Sequence, residues 1–408
     1  MQLPTLDDID VNGKTVLVRL DLNVPMQAGR VLDDTRLVRA IPTLQYLIER
    51  HAKVIILSHM GRPKGKVDLS HSLAPLVDAL SEALWDRPVG FAPDCIGSSA
   101  RLAVENASPG DIILMENLRF HPQEEANDAE FGAQLASLGD VFVNDAFSCS
   151  HRAHASIVGI NAHLPSAAGR LMQEEVETLD KTFSAPERPL TAVVGGAKVS
   201  TKLELLENLV AKVDKLIIGG AMANTFLFAQ GYSVGHSLCE KDMKDTALAI
   251  LNNADKHKCE LLLPSDVVVS SAFAAHAPSR ICAIDAVPEH GMILDIGPES
   301  VVKLSGEIAQ SRTVVWNGPV GAFEVAPFDN ATVHLARMVA GLSTSGKVHS
   351  VAGGGDTVAA LSHAGLSKQF SYLSTAGGAF LEWLEGKELP GVAALLNKDN
   401  AARLTAAG

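Results

Sequence analysis

Short apolar runs alternate with helix-spaced amphipathic stretches from one end of the chain to the other, which limits the fold more than any other feature. Strand candidates are Thr15–Leu20, Val54–Leu57, Ile112–Met115, Val141–Val143, Ala192–Val194, Leu216–Ile218, Leu261–Leu263, Thr313–Trp316, Ser350–Ala352 and Tyr372–Ser374. Most lack the polar alternation of a half-exposed strand, as expected when both faces of a sheet are covered. Helical patterns such as Leu37–Ile48 and Leu203–Val213 lie between them and complete βαβ units. The expectation is an α/β chain with parallel, doubly wound sheets. Ligands in such sheets sit beyond the carboxyl ends of the strands, so the residues just after each run carry the information.

Those residues divide the chain. In the first half they are charged and polar: Asp21 and Asn23, His59-Met60-Gly61-Arg62, Asn117-Leu118-Arg119, Asn144-Asp145. In the second half they are glycines: Gly195-Gly196, Gly219-Gly220, Gly353-Gly354-Gly355, Gly377-Gly378. A helical stretch at about 170–182, followed by Pro186 and Pro189, separates the two sets. At 408 residues the length allows two or three domains, and two domains with different ligand sites is the simplest account.

The net charge of −13 argues against a nucleic-acid binder held by a general basic field, so any anion site must be built locally. Five scattered cysteines with no CxxC point to a reducing compartment, without a disulfide frame or a zinc site. The first ten residues lack the layout of a signal peptide, and no apolar run approaches the roughly 18 residues of a membrane span. A soluble, cytoplasmic protein with no membrane partner is expected.

Arg36, His59, Arg62, Arg119, His151, Arg152 and His154 all fall at or just after strand ends, or in a first helical turn. Arginine grips carboxylate and phosphate in two-point fashion. Arg36 follows the capping sequence Asp33-Asp34-Thr35, near the positive end of a helix, where a cation is disfavoured unless an anion joins it. Pairing of each arginine with a neighbouring acid is the simple alternative. Convergence of four from separate junctions favours a small, multiply anionic substrate. A metal site at His151-x-x-His154 is disfavoured by the interleaved arginines, and a Cys149/His151 nucleophile pair lacks an orienting third group.

In the second half, His349–Thr357 runs from a β-prone segment through three glycines into Asp356-Thr357 and a helical pattern. Glycines there let the backbone approach a ligand, and the N–H groups of the new helix form an anion site. Asp356 repels phosphate unless a cation intervenes, and Mg²⁺ is the usual candidate. A tight turn with an Asp or Thr cap is the plain alternative. Lys198 and Lys202 are expected on one face of a helix's first turns, where two cations call for a phosphate. Asn317 and Glu324 follow another strand, with Glu324 a candidate for ribose hydroxyls or merely a loop carboxylate. Gly231-Tyr232-Ser233-Val234-Gly235 matches nucleophile-elbow spacing but follows a helical pattern, and neither a P-loop nor a GxGxxG is present.

Taken together, these motifs resemble the phosphoglycerate kinase family nearly end to end. The first half supplies Arg19–Pro25, Ser58-His59-Met60-Gly61-Arg62-Pro63, Glu116–His121, Asn144–Phe147 and His151-Arg152-Ala153-His154. The second supplies Gly195-Gly196-Ala197-Lys198, Trp316-Asn317-Gly318-Pro319, Gly353–Thr357 and Ser374–Ala379. The resemblance implies two Rossmann-like three-layer αβα domains joined by a hinge helix. It assigns 1–170 to a domain for 3-phosphoglycerate or 1,3-bisphosphoglycerate and 171–388 to one for Mg-ADP or Mg-ATP. The segment from about 389 to 408 returns to the first. By that pattern Asp21, Asn23, Arg36, His59, Met60, Gly61, Arg62, Arg119 and Arg152 hold the phosphoglycerate. Lys202, Gly219, Gly220, Asn317, Glu324, Gly353, Gly354, Gly355, Asp356 and Thr357 hold the nucleotide, with Asp356 near Mg²⁺. Arg36, Lys198, Lys202 and the Gly377 and Gly378 amides neutralise the moving phosphoryl group. The resemblance further implies hinge closure and a monomer. Ala376 and Ser148-Cys149-Ser150 depart from the family's usual residues at positions whose side chains the mechanism does not need.

Two other functions are weaker. A nicotinamide dehydrogenase needs a glycine-rich first turn where Asp21-Leu22-Asn23 stands. A non-catalytic anion-binding protein of periplasmic type leaves the paired lysines unexplained.

Overall fold

A computed structural model describes residues 3–27 and 29–407. The chain forms two compact units, 1–177 with 388–408, and 178–387. Their division falls inside the helix Arg170–Ser184. Gly408, the end of the returning segment, lies outside the described residues.

The first unit is built on a six-stranded parallel sheet, in spatial order Val89–Ala92, Ile112–Met115, Lys53–Leu57, Thr15–Arg19, Val141–Asn144 and Ser166–Ala168. Val16, Val18, Val54 and Ile56 enter one buried cluster, and Leu17, Ile55, Leu57 and Phe142 enter another. Successive strand residues thus point into two different cores, which is why these runs show no polar alternation. Helix Thr35–Glu49 packs Leu37, Leu44 and Leu47 against the first core, at helical spacing. The helices Pro390–Leu396 and Lys398–Ala407 belong to this unit. Buried Asn400 accepts from the Ser166 amide at 2.9 Å and donates to its carbonyl at 2.8 Å, completing the edge strand's backbone pairing.

The second unit has a parallel sheet in the order Glu260–Leu262, Lys215–Ile218, Leu190–Val194, Thr313–Asn317, His349–Gly353 and Tyr372–Ser374. It also carries a sheet absent from the expectation, in which Asp266–Ser270 pairs antiparallel with Ser279–Ala283 and Met292–Ile296. The edge strand Ser279–Ala283 is almost wholly exposed, so it lacks the apolar run by which strands were recognised. The strands Val89–Ala92 and Ser166–Ala168 also went unrecognised, as did the hairpin Met26–Gln27 with Arg30–Val31. Helix Leu203–Val210 ends three residues before the expected Val213. Among the described residues no helix is long and apolar enough to cross a membrane.

Candidate functional site

In the first unit, residues beyond the carboxyl ends of four adjacent strands are bonded together. Arg36 is the second residue of its helix and donates from Nη1 to the Asn23 carbonyl at 3.1 Å. The same nitrogen meets Asp21 Oδ2 at 2.5 Å. Asn23 Oδ1 accepts from the Gly61 amide at 2.9 Å, and the Gly61 carbonyl accepts from Arg119 Nη1 at 2.8 Å. Gly61 has φ +60°, and a Cβ there would lie 2.0 Å from the His71 ring, so only glycine fits this crossing. The buried Met60 presents its carbonyl to Asn117 Nδ2.

The sequence reading missed Arg19 as a site residue. It is fully buried, donates from Nε to Ser156 Oγ at 2.9 Å, and meets His59 Nδ1 at 3.0 Å through Nη2. An arginine closing the apolar run Thr-Val-Leu-Val was the available signal. Ser148 Oγ donates to Asp21 Oδ2, a further contact the sequence did not reveal. Arg152 Nε donates to His151 Nε2 at 3.1 Å. Arg62 is exposed and makes no hydrogen bond or ion pair with another described residue.

The three histidines grouped with these arginines are held neutral. Burial, with Arg19 alongside, puts His59 well below its ordinary value, although the Asp21 carboxylate pulls the other way. His151 is lowered by burial and Arg152. His154 is brought to about 4 by burial and the Arg119, Arg19 and Arg152 guanidiniums. The positive charge therefore belongs to the arginines. Burial by itself would raise Asp21. His59, the Arg36 guanidinium, the Ser148 hydroxyl and the Arg19 guanidinium act against it, in that order, and the carboxyl is lowered overall. Arg119 Nε, His151 Nδ1 and His154 Nδ1 are buried without a hydrogen-bond partner.

In the second unit the lysines are not on a helix. The helix begins at Leu203 with Lys202 at its N-cap, while Lys198 sits exposed in the preceding loop. The predicted shared face therefore does not exist. Lys202 Nζ instead turns back to donate to the Gly195 carbonyl and to Asn317 Oδ1, both at 2.6 Å. Burial lowers Lys202 to about 8, opposed by the Asp356 charge. Asn317 Nδ2 donates to the Gly353 carbonyl at 2.8 Å, and Thr357 Oγ1 accepts from the Gly318 amide at 2.7 Å. Gly354 caps helix Gly355–His363 at φ +97°, and a Cβ there would lie 2.6 Å from Asn317 Nδ2. Gly219 caps helix Gly220–Ala229, with Gly220 at φ +67°. Gly377, at φ +53°, caps helix Gly378–Leu384, which follows the strand beside His349–Gly353.

A cavity of about 510 Å³ opens beside this network, bounded by Gly196, Gly220, Glu324 and Asp356. Its apolar wall includes Leu238, Phe273 and Met292, residues the sequence reading did not select. Met292 and Phe273 come from the unrecognised antiparallel sheet and a loop within it, and Leu238 from the loop after helix Gly220–Ala229; their apolar side chains carry no chemical signature. Asp356 is exposed in the first helical turn, and its carboxylate has no hydrogen bond or ion pair with another described residue. An unpaired carboxylate beside backbone amides suits a hard, oxygen-liganded cation carried on a phosphate.

A model of the family "Phosphoglycerate kinase" matches residues 6–387. The phosphoglycerate kinase of Rhodospirillum centenum is 58% identical over 395 residues, covering 97% of this chain and 100% of the relative. That of Azorhizobium caulinodans is 59% identical over 391 residues, covering 96% and 98%. The solved phosphoglycerate kinase of Coxiella burnetii superposes with a TM-score of 0.89 at 44% identity, over 97% of this chain and 99% of that one. Sequence and fold thus agree over nearly the whole length, and the chain belongs to the phosphoglycerate kinase family.

Proposed function

We propose that this chain transfers a phosphoryl group reversibly from 1,3-bisphosphoglycerate to Mg-ADP, giving 3-phosphoglycerate and ATP, as a step of glycolysis and gluconeogenesis. The observation that carries the reading is the set of nitrogens Arg119 Nε, His151 Nδ1 and His154 Nδ1, buried without a hydrogen-bond partner beside the charged arginines, with Glu125 no nearer to Arg119 Nε than 3.5 Å. A small polyanion supplies acceptors to such a site.

Asp21, Asn23, Arg36, His59, Met60, Gly61, Arg62, Arg119 and Arg152 would hold the phosphoglycerate in the first unit. In the second, Lys202, Gly219, Gly220, Asn317, Glu324 and Gly353–Thr357 would hold the nucleotide. Asp356 would face Mg²⁺, whose contribution when bound is to neutralise charge on the phosphate oxygens. Both attacking groups, a carboxylate and a nucleotide phosphate, are already anionic at neutral pH, so the reaction needs no general base. Neutral His59, His151 and His154 are consistent with that economy. The remaining work is positioning and electrostatic stabilisation, assigned to Arg36, Lys198, Lys202 and the Gly377 and Gly378 amides.

The two reactants belong to different units, so transfer requires a hinge closure, which we assign to the region of helix Arg170–Ser184. Small-angle scattering should show compaction only when both ligands are present. The reading includes a cytoplasmic monomer; the five free cysteines support a reducing compartment. A coupled assay with 3-phosphoglycerate and Mg-ATP tests the activity directly, and absence of ADP formation by the folded protein would refute it.

A further inference from the structure

Asp94, Cys95 and His121 form a cluster on the first unit that the phosphoryl-transfer reading does not use. One potential ligand atom from each lies within 4.8 Å of the others. Asp94 and Cys95 follow the strand Val89–Ala92, whereas His121 follows the turn Leu118–Phe120. Only the folded chain brings them together. This is why cysteine spacing pointed to no zinc site.

The set is chemically matched. It offers one thiol, one imidazole and one carboxylate, a borderline-soft combination that favours zinc-like ions over magnesium. His121 Nε2 and Asp94 Oδ1 are already 2.8 Å apart. In a tetrahedron with ligand bonds of about 2.1 Å the donors stand roughly 3.4 Å apart, so a small opening admits an ion. The Cys95 side chain is fully buried, while His121 and Asp94 are 26% and 40% exposed, leaving an open side for entry and for a water as fourth ligand. Burial raises the Cys95 thiol well above its ordinary value, and the carboxylates of Asp94, Glu124 and Glu116 add to the shift. A negative field of that kind opposes a thiolate but favours a cation, which in turn stabilises the thiolate. A second cluster, Asp21, His59 and Cys149, has similar ligands but lies among Arg19, Arg36 and Arg119, which repel a metal ion.

We propose that Asp94, Cys95 and His121 bind one divalent transition-metal ion of the zinc class, at a site separate from the nucleotide's magnesium. Binding releases the Cys95 thiol proton to solvent, while His121 binds as a neutral imidazole that keeps its proton on the nitrogen facing away from the ion. The ion would tie the loop after Val89–Ala92 to the turn that carries Arg119.

The test is titration of the full-length protein with Co²⁺, without nucleotide, read by thiolate-to-cobalt charge-transfer absorption in the near ultraviolet. One equivalent should bind with that band. Cys95→Ser should abolish the band, and His121→Ala should weaken binding at least about tenfold. A variant carrying Cys239→Ser and Cys282→Ser, the two partly exposed thiols, should keep the band intact. Should Cys95→Ser fail to fold, His121→Ala decides, because its ring is partly exposed. A band that survives His121→Ala unweakened, or a wild-type protein that shows no band, overturns the proposal.

Discussion

Arg36 Nη1 stands 2.5 Å from Asp21 Oδ2 while also donating to the Asn23 carbonyl. A cation at a helix N-terminus is thereby neutralised by a carboxylate that is itself held in place by Ser148. The pairing of arginine with acid is real at this position, yet it aims the guanidinium rather than satisfying it, because three of its five donors remain available for other acceptors. Arg36→Ala should lower kcat by about 10³-fold or more in the coupled assay, with ADP affinity unchanged. Asp21→Asn should leave the charge but loosen its aim, raising KM for 3-phosphoglycerate more than it lowers kcat. Normal turnover in Arg36→Ala would remove it from the reaction.

Lys202 should couple nucleotide binding to proton uptake if it meets a phosphate as proposed. Its value of about 8 in the free protein follows from burial, and an arriving phosphate raises it again. Between those two values the bound form holds more protons, so ADP affinity should fall as pH rises above about 8. Calorimetry in two buffers of different ionisation enthalpy should show uptake of up to about one proton near pH 9. Lys202→Met should show none.

Gly354→Ala should damage the proposed nucleotide site without touching its chemistry. The backbone there has φ +97° and ψ 143°, and the added methyl would meet Asn317 Nδ2 at 2.6 Å. Conformational strain alone costs about 1–3 kcal/mol. Thermal unfolding should begin at lower temperature in the variant, and ADP affinity should drop because Asn317 positions both Lys202 and Gly353.

Asp145 is expected to give the fold a pH-dependent weakness. Burial pushes its carboxyl up to about 6 from an ordinary 3.8, although the Met172 amide donates to Oδ1 at 3.0 Å. A raised carboxyl binds more protons folded than unfolded, so its contribution to stability declines as pH rises from about 4 to 6. Asp145→Asn keeps the Oδ1 acceptor and cannot ionise. Denaturant unfolding of both proteins should show the variant gaining on the wild type across that window, by about 3 kcal/mol at most. A difference independent of pH would show that Asp145 is not the group responsible.

Much of this was legible in the chain itself. Runs such as Thr15–Arg19 and Leu190–Val194 show the parallel sheets because both of their faces are apolar, and that property is written locally. Arg36, Arg119 and the glycines at 353–355 could be singled out because their side chains, or lack of them, have chemistry that a turn or cap alone explains poorly. What the sequence could not decide depended on distance and dielectric. It placed Lys198 and Lys202 on a helix face, whereas the chain runs through bends and a turn before the helix begins at Leu203, and Lys202 folds back onto Gly195 and Asn317. It grouped three histidines with the arginines without deciding their charge, and burial among guanidiniums makes them neutral. It passed over Arg19 and the apolar cavity wall, since burial on both sides of a strand and the covering of a pocket are properties of packing. Local pattern therefore determined the central strands of both parallel sheets and the junctions where anions are expected; tertiary structure decided which of the groups there carry charge, because a pKa is set by neighbours that the linear order does not reveal.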